Sequence, residues 1–421
     1  MMDAVAGAGY TDTTIGQVIA RAGVSRPTFY EYFADKHDCF VAVLEDAQDA
    51  LIARIAGALD PGAPQRAVHA AVAGIVGFAD AEPGSARILM NEPMAAGGRA
   101  LDVRDQGLAT LETIIEEQYR GVSPASAIPD IPARALIGGM YRLLAAHLRS
   151  GSRGVAGLLD DVIAWLKHYE LPLAGHRWRT LEPASRLTRS PVAVAPLQPP
   201  GPLGPGPARL SKQEVAEHRR QRILLAAASL AEETGYSAVT VMDVTKRARV
   251  NTRSFYELFA DKREVFRALH ELLFRHIIAV TASGFLAGGT WPERVWEAGR
   301  AFAQYMEQNP TLAHASLVDS HAGDAETVQR VDELVGGFTI FLQEGCQHTP
   351  HRPPPSPVAQ QAIASTMFEI DYSQVREARV CELSRLVPHM AFISLAPFLG
   401  PDEANRFIDR QLCAQAQVPP S

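Results

Sequence analysis

Hydrophobic residues recur at helical spacing along most of the chain, and this pattern predicts an all-α protein. The stretch 133–151 is strongly apolar and 158–169 is amphipathic, so both are expected to pack in a helical bundle. No apolar run reaches the roughly 18 residues of a membrane span. The N-terminus also lacks the basic-then-apolar order of a secretory signal. We therefore expect a cytoplasmic protein with no membrane partner.

The chain also contains a long-range repeat. Residues 9–40 and 235–266 align without a gap at an offset of 226, and 15 of the 32 positions are identical. That offset is too long for a solenoid repeat, so it indicates duplication of a whole domain. Each copy is followed by a mostly helical region of ordinary domain length.

Each copy carries the signals of short, capped helices. Thr14 with Gln17, and Thr240 with Asp243, predict the start of one helix. Ser25 and Asn251 are good caps for the next helix, and Asp35 and Asp261 for the one after it. Ser211 with Glu214 resembles a capping box that starts a longer helix ahead of the second copy.

Two short helices joined by a tight turn form a helix-turn-helix, whose second helix can enter the major groove of DNA. Phe29 and Phe33, like Phe255 and Phe259, are four residues apart and are expected to share the buried face. Their neighbours are left to contact bases and phosphates. The predicted DNA-binding residues are Thr14, Ser25, Arg26, Pro27, Thr28, Tyr30 and Lys36 in the first copy, and Thr240, Asn251, Thr252, Arg253, Ser254, Tyr256 and Lys262 in the second.

The motif AGVSRPTFYEYFADK resembles the DNA-binding domain of the TetR/AcrR family of bacterial regulators, and RARVNTRSFYELFADK resembles a second one. The resemblance implies two TetR-like modules in one chain. Each would have a three-helix DNA-reading head and a helical body that encloses an effector pocket and carries the dimer surface. In that family, effector binding usually releases the head from operator DNA. The implied partners are double-stranded operator DNA and a small-molecule effector of unknown identity.

Composition divides the chain into these modules. The stretch 176–209 contains PLQPPGPLGPGPAR, and so many prolines and glycines predict an extended linker. The predicted domains are a first helix-turn-helix domain at 1–40, with a truncated first helix, and a first helical regulatory domain at 41–175. After the linker come a second helix-turn-helix domain at 210–266 and a second regulatory domain at 267–416. A second Pro-rich stretch, 349–358, is predicted to be a loop.

The two heads differ in charge and in one turn residue. Residues 1–40 carry a net charge of −2, whereas residues 209–263 carry +4, which makes the second head the better predicted phosphate binder. Either the first head is degenerate, or the sequence starts downstream of the true start. Arg249 occupies the turn position held by Gly23, and costs roughly 1 kcal/mol if that position needs a positive φ.

Two alternatives remain open for the assembly of the protein, and two for its function. One chain can supply both heads as an intramolecular pseudo-dimer, or two tandem chains can form a homodimer with four heads. The leading hypothesis is an effector-responsive repressor. The alternative is a ligand- or partner-binding helical protein with one or both heads degenerate. Weak candidates for the ligand pocket are Trp296, Phe302 and Tyr305 in the helical stretch 291–317, where plain core packing is the more common role.

Other chemistry is not expected. The four cysteines are too far apart in sequence for a CxxC pair, so neither a disulfide framework nor a zinc site is predicted. His314, Asp319 and His321 lack a fixed ligand spacing, and no metal is assigned to them. The sequence shows no phosphate loop, nucleophile elbow or HExxH motif, so we expect no enzyme activity and no cofactor.

Overall fold

The computed structural model describes residues 1–60, 62–63, 66–120, 133–149, 156–169, 197–201, 211–321, 325–348 and 353–416. Every regular element within these ranges is a helix, which confirms the all-α prediction. None of these helices is both long and apolar enough to cross a membrane. The predicted linker 176–209 lies outside the described residues, except for 197–201. The predicted loop 349–358 is described only from 353 onward.

The first module is built from nine α-helices within the described ranges. The helices are α1 (Met2–Asp12), α2 (Ile15–Ala22), α3 (Arg26–Tyr32), α4 (Lys36–Ala58), α5 (Ala67–Ala81), α6 (Pro83–Ala96), α7 (Gly98–Arg120), α8 (Ala133–Arg149) and α9 (Leu159–Leu166). The first three form the head with the start of α4, and the rest form the body. The apolar stretch predicted at 133–151 is α8, and the amphipathic stretch at 158–169 contains α9.

The second module contains eleven α-helices within the described ranges. Its helices are α10 (Lys212–Thr234), α11 (Val241–Ala248), α12 (Thr252–Tyr256), α13 (Lys262–Ala287), α14 (Trp291–Gln308), α15 (Pro310–Leu317), α16 (Ala325–Gly337), α17 (Ile340–Gln343), α18 (Pro357–Arg376), α19 (Val387–Leu399) and α20 (Pro401–Ala416). The helical stretch predicted at 291–317 is two helices, because Pro310 removes a backbone donor and starts a new one.

The apolar side chains of the described residues collect into three cores. The second head has a large core of its own, centred on Ile223, Phe255 and Leu269. The first head has a small one that includes Val18 and Phe29. The two bodies share a single core made by residues of both modules, so they form one continuous helical unit.

Helices α8 and α18 hold the two bodies together. Five ion pairs, among others, join side chains across this junction. In four of them an arginine of the first body contacts an acidic residue of the second. In the fifth, Arg376 of α18 contacts an acidic residue of the first body. The pairs are Arg104–Glu369 at 2.7 Å, Arg134–Glu377 at 2.9 Å, Arg142–Asp332 at 3.3 Å, Arg149–Asp332 at 2.6 Å and Arg376–Asp105 at 3.0 Å.

Candidate functional site: two helix-turn-helix heads and a buried cavity

The caps predicted from sequence frame both helix-turn-helix units. In every case a side-chain oxygen accepts a hydrogen bond from the backbone N–H three residues later, which satisfies a donor that the helix leaves free. The pairs are Thr14 with Gln17 at 3.3 Å, Ser25 with Thr28 at 3.2 Å, Thr240 with Asp243 at 3.2 Å, and Asn251 with Ser254 at 2.7 Å. Asp35, Asp261 and Ser211 cap α4, α13 and α10 in the same way.

The recognition helix of the second head, α12, lies on the surface. Phe255 and Phe259 are buried beneath it, with ring centroids 5.9 Å apart. Thr252 and Arg253 are exposed, and so is 58% of Tyr256. The cap residues Thr240 and Asn251 are also exposed, so this edge of the head presents hydroxyl, amide and guanidinium groups to solvent.

Ser254 corrects one prediction. The sequence placed it among the exposed residues of the recognition helix, but only 5% of it is exposed. Its hydroxyl accepts a hydrogen bond from the guanidinium of Arg219 on α10, at 3.2 Å. Because α10 covers this side of α12, Ser254 joins the two helices and does not face solvent.

The first head presents a similar face. Arg26, Pro27 and the caps Thr14 and Ser25 are exposed, Thr28 is half-buried, and 51% of Tyr30 is exposed. Phe29 and Phe33 pack beneath them with centroids 5.5 Å apart. The apolar packing between the helices of the first head is less complete than in the second head. Ala22 is exposed here, whereas its counterpart Ala248 is buried and accepts a hydrogen bond from Arg222 of α10 at 2.8 Å.

The two lysines predicted to contact phosphates are half-buried and turned toward the protein. Lys36 Nζ donates to the carbonyl of Tyr10 at 2.9 Å, and Lys262 Nζ donates to that of Tyr236 at 3.1 Å. Each ammonium also lies over the tyrosine ring, 4.2 Å and 4.6 Å from its centroid. Burial lowers the pKa of both lysines. Their observed role is to tie the Gly-Tyr turn to the following helix, and phosphate contact stays a prediction.

The turn of the second head holds a strained residue. Arg249 ends α11 in the left-handed conformation, with φ 52° and ψ 47°. Gly23 occupies the equivalent place with φ 66° and ψ 28°. The turn therefore requires a positive φ in both heads, and arginine adopts it at a cost of about 1 kcal/mol relative to glycine.

A cavity of about 180 Å³ lies inside the second body. Its walls come from helices α13 to α19, and most of the lining is aliphatic or aromatic. Phe274, Phe302, Phe338 and Met367 are among the large apolar side chains that face it. Such a space suits an apolar small molecule.

Of the three weak ligand candidates, only Phe302 lines this cavity. Trp296 is fully buried and packs edge-on against Phe407 of α20, with centroids 6.3 Å apart. Tyr305 is buried in the shared core of the bodies. The placement of Trp296 and Tyr305 at the pocket was therefore wrong, because these residues occupy other faces of α14.

Two polar residues of the lining were missed in the sequence. His270 of α13 and Asp371 of α18 are both buried at the cavity wall. Burial lowers the pKa of His270 to about 4 and raises the pKa of Asp371 well above its usual range. The sequence contains a signal for Asp371. The stretches that form α8 and α18 align at an offset of 227, which pairs Ala135 with Ala362 and Met140 with Met367. This alignment puts Asp371 at the place of Leu144.

Two helices link this cavity to the second head. The first turns of α13 contribute Phe266 and Leu269 to the core of the head, and the next turns contribute His270 and Phe274 to the cavity wall. Helix α15 does the same over a shorter distance, since Leu312 packs in the head and Leu317 lines the cavity. Helices α13 and α15 therefore connect the cavity wall to the core of the second head.

Comparison with known proteins agrees with this architecture. The model of the bacterial regulatory proteins of the tetR family matches residues 4–43 and 223–269, one stretch in each head. The HTH-type transcriptional repressor KstR of Mycolicibacterium smegmatis is 31% identical over 136 residues, which are 31% of this chain and 67% of that protein. KstR of Mycobacterium tuberculosis is 30% identical over 125 residues, 29% of this chain and 57% of that protein.

The chain belongs to the TetR family of bacterial transcriptional regulators, and the two separate matches confirm that it contains two modules in tandem. Among solved structures it is similar to the fatty acid degradation regulator FadR of Bacillus halodurans. That similarity has 19% identity and a TM-score of 0.38, and covers 42% of this chain and 94% of FadR. A TetR-family regulator from Marinobacter aquaeolei is similar at 18% identity and a TM-score of 0.34, covering 48% of this chain and 97% of the other.

Proposed function

We propose that this protein is an effector-responsive repressor that reads operator DNA through α3 and α12 and releases it when the cavity of the second body is filled. The observation that carries the proposal is the path of α13 and α15. Each of these helices has one end in the core of the second head and the other at the cavity wall. Filling the cavity moves the wall, and a packed helix transmits that movement because its interior cannot compress.

The relatives support repression. KstR is an HTH-type transcriptional repressor, and the aligned region covers 67% of the M. smegmatis protein. The exposed edge of α12 supports DNA reading, since Arg253 and Tyr256 project from it over a buried phenylalanine pair. Arginine and tyrosine at the end of such a helix suit base edges and phosphates.

We further infer that the two bodies of one chain pair as the two halves of a pseudo-dimer. The junction is heterotypic, with arginines concentrated on the first body and their acids on the second. Two first bodies brought together would oppose arginine to arginine, and two second bodies would oppose acid to acid. The pairing within one chain satisfies these charges, so we expect a chain of 45.5 kDa in solution without a second copy.

Binding to the DNA upstream of the protein's own gene tests the proposal. We expect a gel-shift complex whose affinity falls steeply with salt, because phosphate contacts release counterions. The double variant Arg253→Ala with Tyr256→Ala serves as the matched control and should lose the shift. An absent or salt-independent shift would favour the alternative of a ligand- or partner-binding protein with degenerate heads.

A further inference from the structure

The polar side chains that line the cavity include one carboxyl group. Asp371 is the one acidic side chain among the described residues that line the cavity, and it is buried. Its Oδ1 atom has no hydrogen-bond partner within the described part of the chain. Burial raises the pKa of this carboxyl well above its usual range, which favours the protonated form and with it a hydrogen bond to donate.

The surrounding wall supplies no charge for this group. The described residues of the lining include no lysine or arginine, and the imidazole of His270 is neutral at pH 7 because burial lowers its pKa to about 4. The hydroxyls of Thr281 and Ser316 already donate to the carbonyls of Ile277 and Ala313, at 2.8 and 3.1 Å. Asp371 is thus a polar group with unused capacity at the edge of an apolar space.

We propose that the cavity binds an uncharged, largely apolar molecule whose single hydrogen-bond-accepting oxygen faces the carboxyl group of Asp371. This inference rests on the proposed function, because it names the ligand class of the same cavity. A bound carbonyl or ether oxygen accepts a hydrogen bond from the carboxyl group of Asp371, while the rest of the ligand contacts the aliphatic and aromatic wall.

Charged ligands are disfavoured by the same geometry. A ligand carboxylate would be desolvated against an acid with no cation nearby to compensate it. A ligand ammonium would have to displace the proton of Asp371 and form a buried ion pair whose desolvation cost offsets the attraction. A neutral acceptor needs neither step.

The first body has an apolar residue at the position equivalent to Asp371. Its counterpart of Asp371 in the α8–α18 alignment is Leu144, which is fully buried. Leucine at this place continues the apolar face of the helix. A buried acid in the second copy is costly to folding, and a ligand that completes its hydrogen bonding gives it a use.

The test uses three probes with the same ten-carbon chain, namely 2-decanone, decylamine and decanoate, with binding measured by calorimetry on the full chain. We expect 2-decanone to bind at least tenfold more tightly than either charged probe. Asp371→Asn keeps a hydrogen-bond donor of similar shape and should retain this binding. Asp371→Leu should weaken it about tenfold, the effect of one buried hydrogen bond. Because Asp371→Leu copies Leu144 and removes an unsatisfied carboxyl, we expect it to fold.

Tighter binding of decylamine or decanoate would overturn the inference. So would undiminished binding of 2-decanone to Asp371→Leu, or no binding of any of the three probes. DNA binding is measured separately on the same preparations. A chain that shifts DNA but binds no ketone contradicts this inference alone, whereas one that binds the ketone but no DNA contradicts the proposed function alone.

Discussion

Gly139 of α8 and Thr366 of α18 lie where these two helices of the two bodies pack closely together. A Cβ atom added at Gly139 would come within 2.1 Å of Thr366 Oγ1 and 2.7 Å of Thr366 Cα. These residues also occupy equivalent positions when α8 and α18 are aligned at the offset of 227. The junction thus pairs glycine with threonine across a pseudo-twofold relation, and a threonine opposite a threonine would not fit.

This relationship predicts the effect of changing the two residues. Gly139→Ala should lower the free energy of unfolding by about 3 kcal/mol or more, because the clash involves backbone as well as side chain. Adding Thr366→Gly to Gly139→Ala should recover only the part of the loss that comes from the threonine side chain, measured by chemical denaturation. Gly57→Ala in α4 is the control, since its Cβ would meet no atom within 4 Å. A loss from Gly139→Ala no larger than that from the control would disprove the close packing.

The buried ion pair between Arg104 and Glu369 gives a second prediction. Its atoms are 2.7 Å apart and both side chains are almost fully buried. Arg104→Leu should cost about 3–5 kcal/mol of stability, because it leaves Glu369 buried without its cation. The double variant Arg104→Leu with Glu369→Leu should lose much less, which a double-mutant cycle by denaturation measures. Additive losses would mean that the two residues do not interact.

The turn residue of the second head, Arg249, gives a third prediction. Arg249→Gly should raise the free energy of unfolding by about 1 kcal/mol, because glycine adopts φ 52° without strain. Gly23→Arg should lower it by a similar amount in the first head, and the two substitutions together form a matched pair. An unchanged or reduced stability of Arg249→Gly would show that the arginine side chain makes a contact that offsets the strain.

Acid should destabilise the protein through two buried histidines. Burial lowers the pKa of His270 and His389 to about 4, while an unfolded chain titrates them near 6.5. The unfolded state therefore binds more protons between those values, and stability is complete above about pH 7 and falls as the pH drops from 6.5 toward 4. Asp319 only partly opposes this shift at His270.

We expect each of these histidines to remove about 2 kcal/mol between pH 7 and pH 5. The measurement is chemical denaturation at both pH values for the wild type, His270→Gln and His389→Gln. Each variant should lose about 2 kcal/mol less than the wild type over this interval, and the double variant should combine both effects. A pH dependence equal to that of the wild type would contradict the burial of a neutral imidazole.

The two heads are expected to contribute unequally to DNA affinity. Tyr256→Ala should weaken DNA binding several-fold by removing a contact to the DNA backbone. Tyr30→Ala should weaken it less, because the first head carries a net negative charge. Fluorescence anisotropy with one duplex at fixed salt compares the two, and the similar exposure of the two tyrosines makes them matched controls. Equal losses would refute the asymmetry.

Local features of the heads were predictable from sequence because they depend on residues three or four apart. The threonine and serine caps and the packed phenylalanine pairs follow from such spacing. Ser254 was misplaced because its burial depends on Arg219, 35 positions away on α10. Trp296 and Tyr305 were misplaced because amphipathic spacing identifies a buried face without saying whether that face meets a cavity or packed side chains.

The junction of the bodies could not be predicted at all from one copy of the repeat. The Gly139–Thr366 and Arg104–Glu369 contacts join residues more than 200 positions apart, and neither helix alone indicates its partner. The predicted domain limits remain predictions.

The mass of the complex between the chain and a duplex chosen by selection from a random DNA pool tests the central claim most directly. At low salt, with the protein in modest excess, we expect one 45.5 kDa chain for each duplex and footprints from two unlike half-sites. Two chains on one short duplex, or no complex with any selected sequence, would contradict the account.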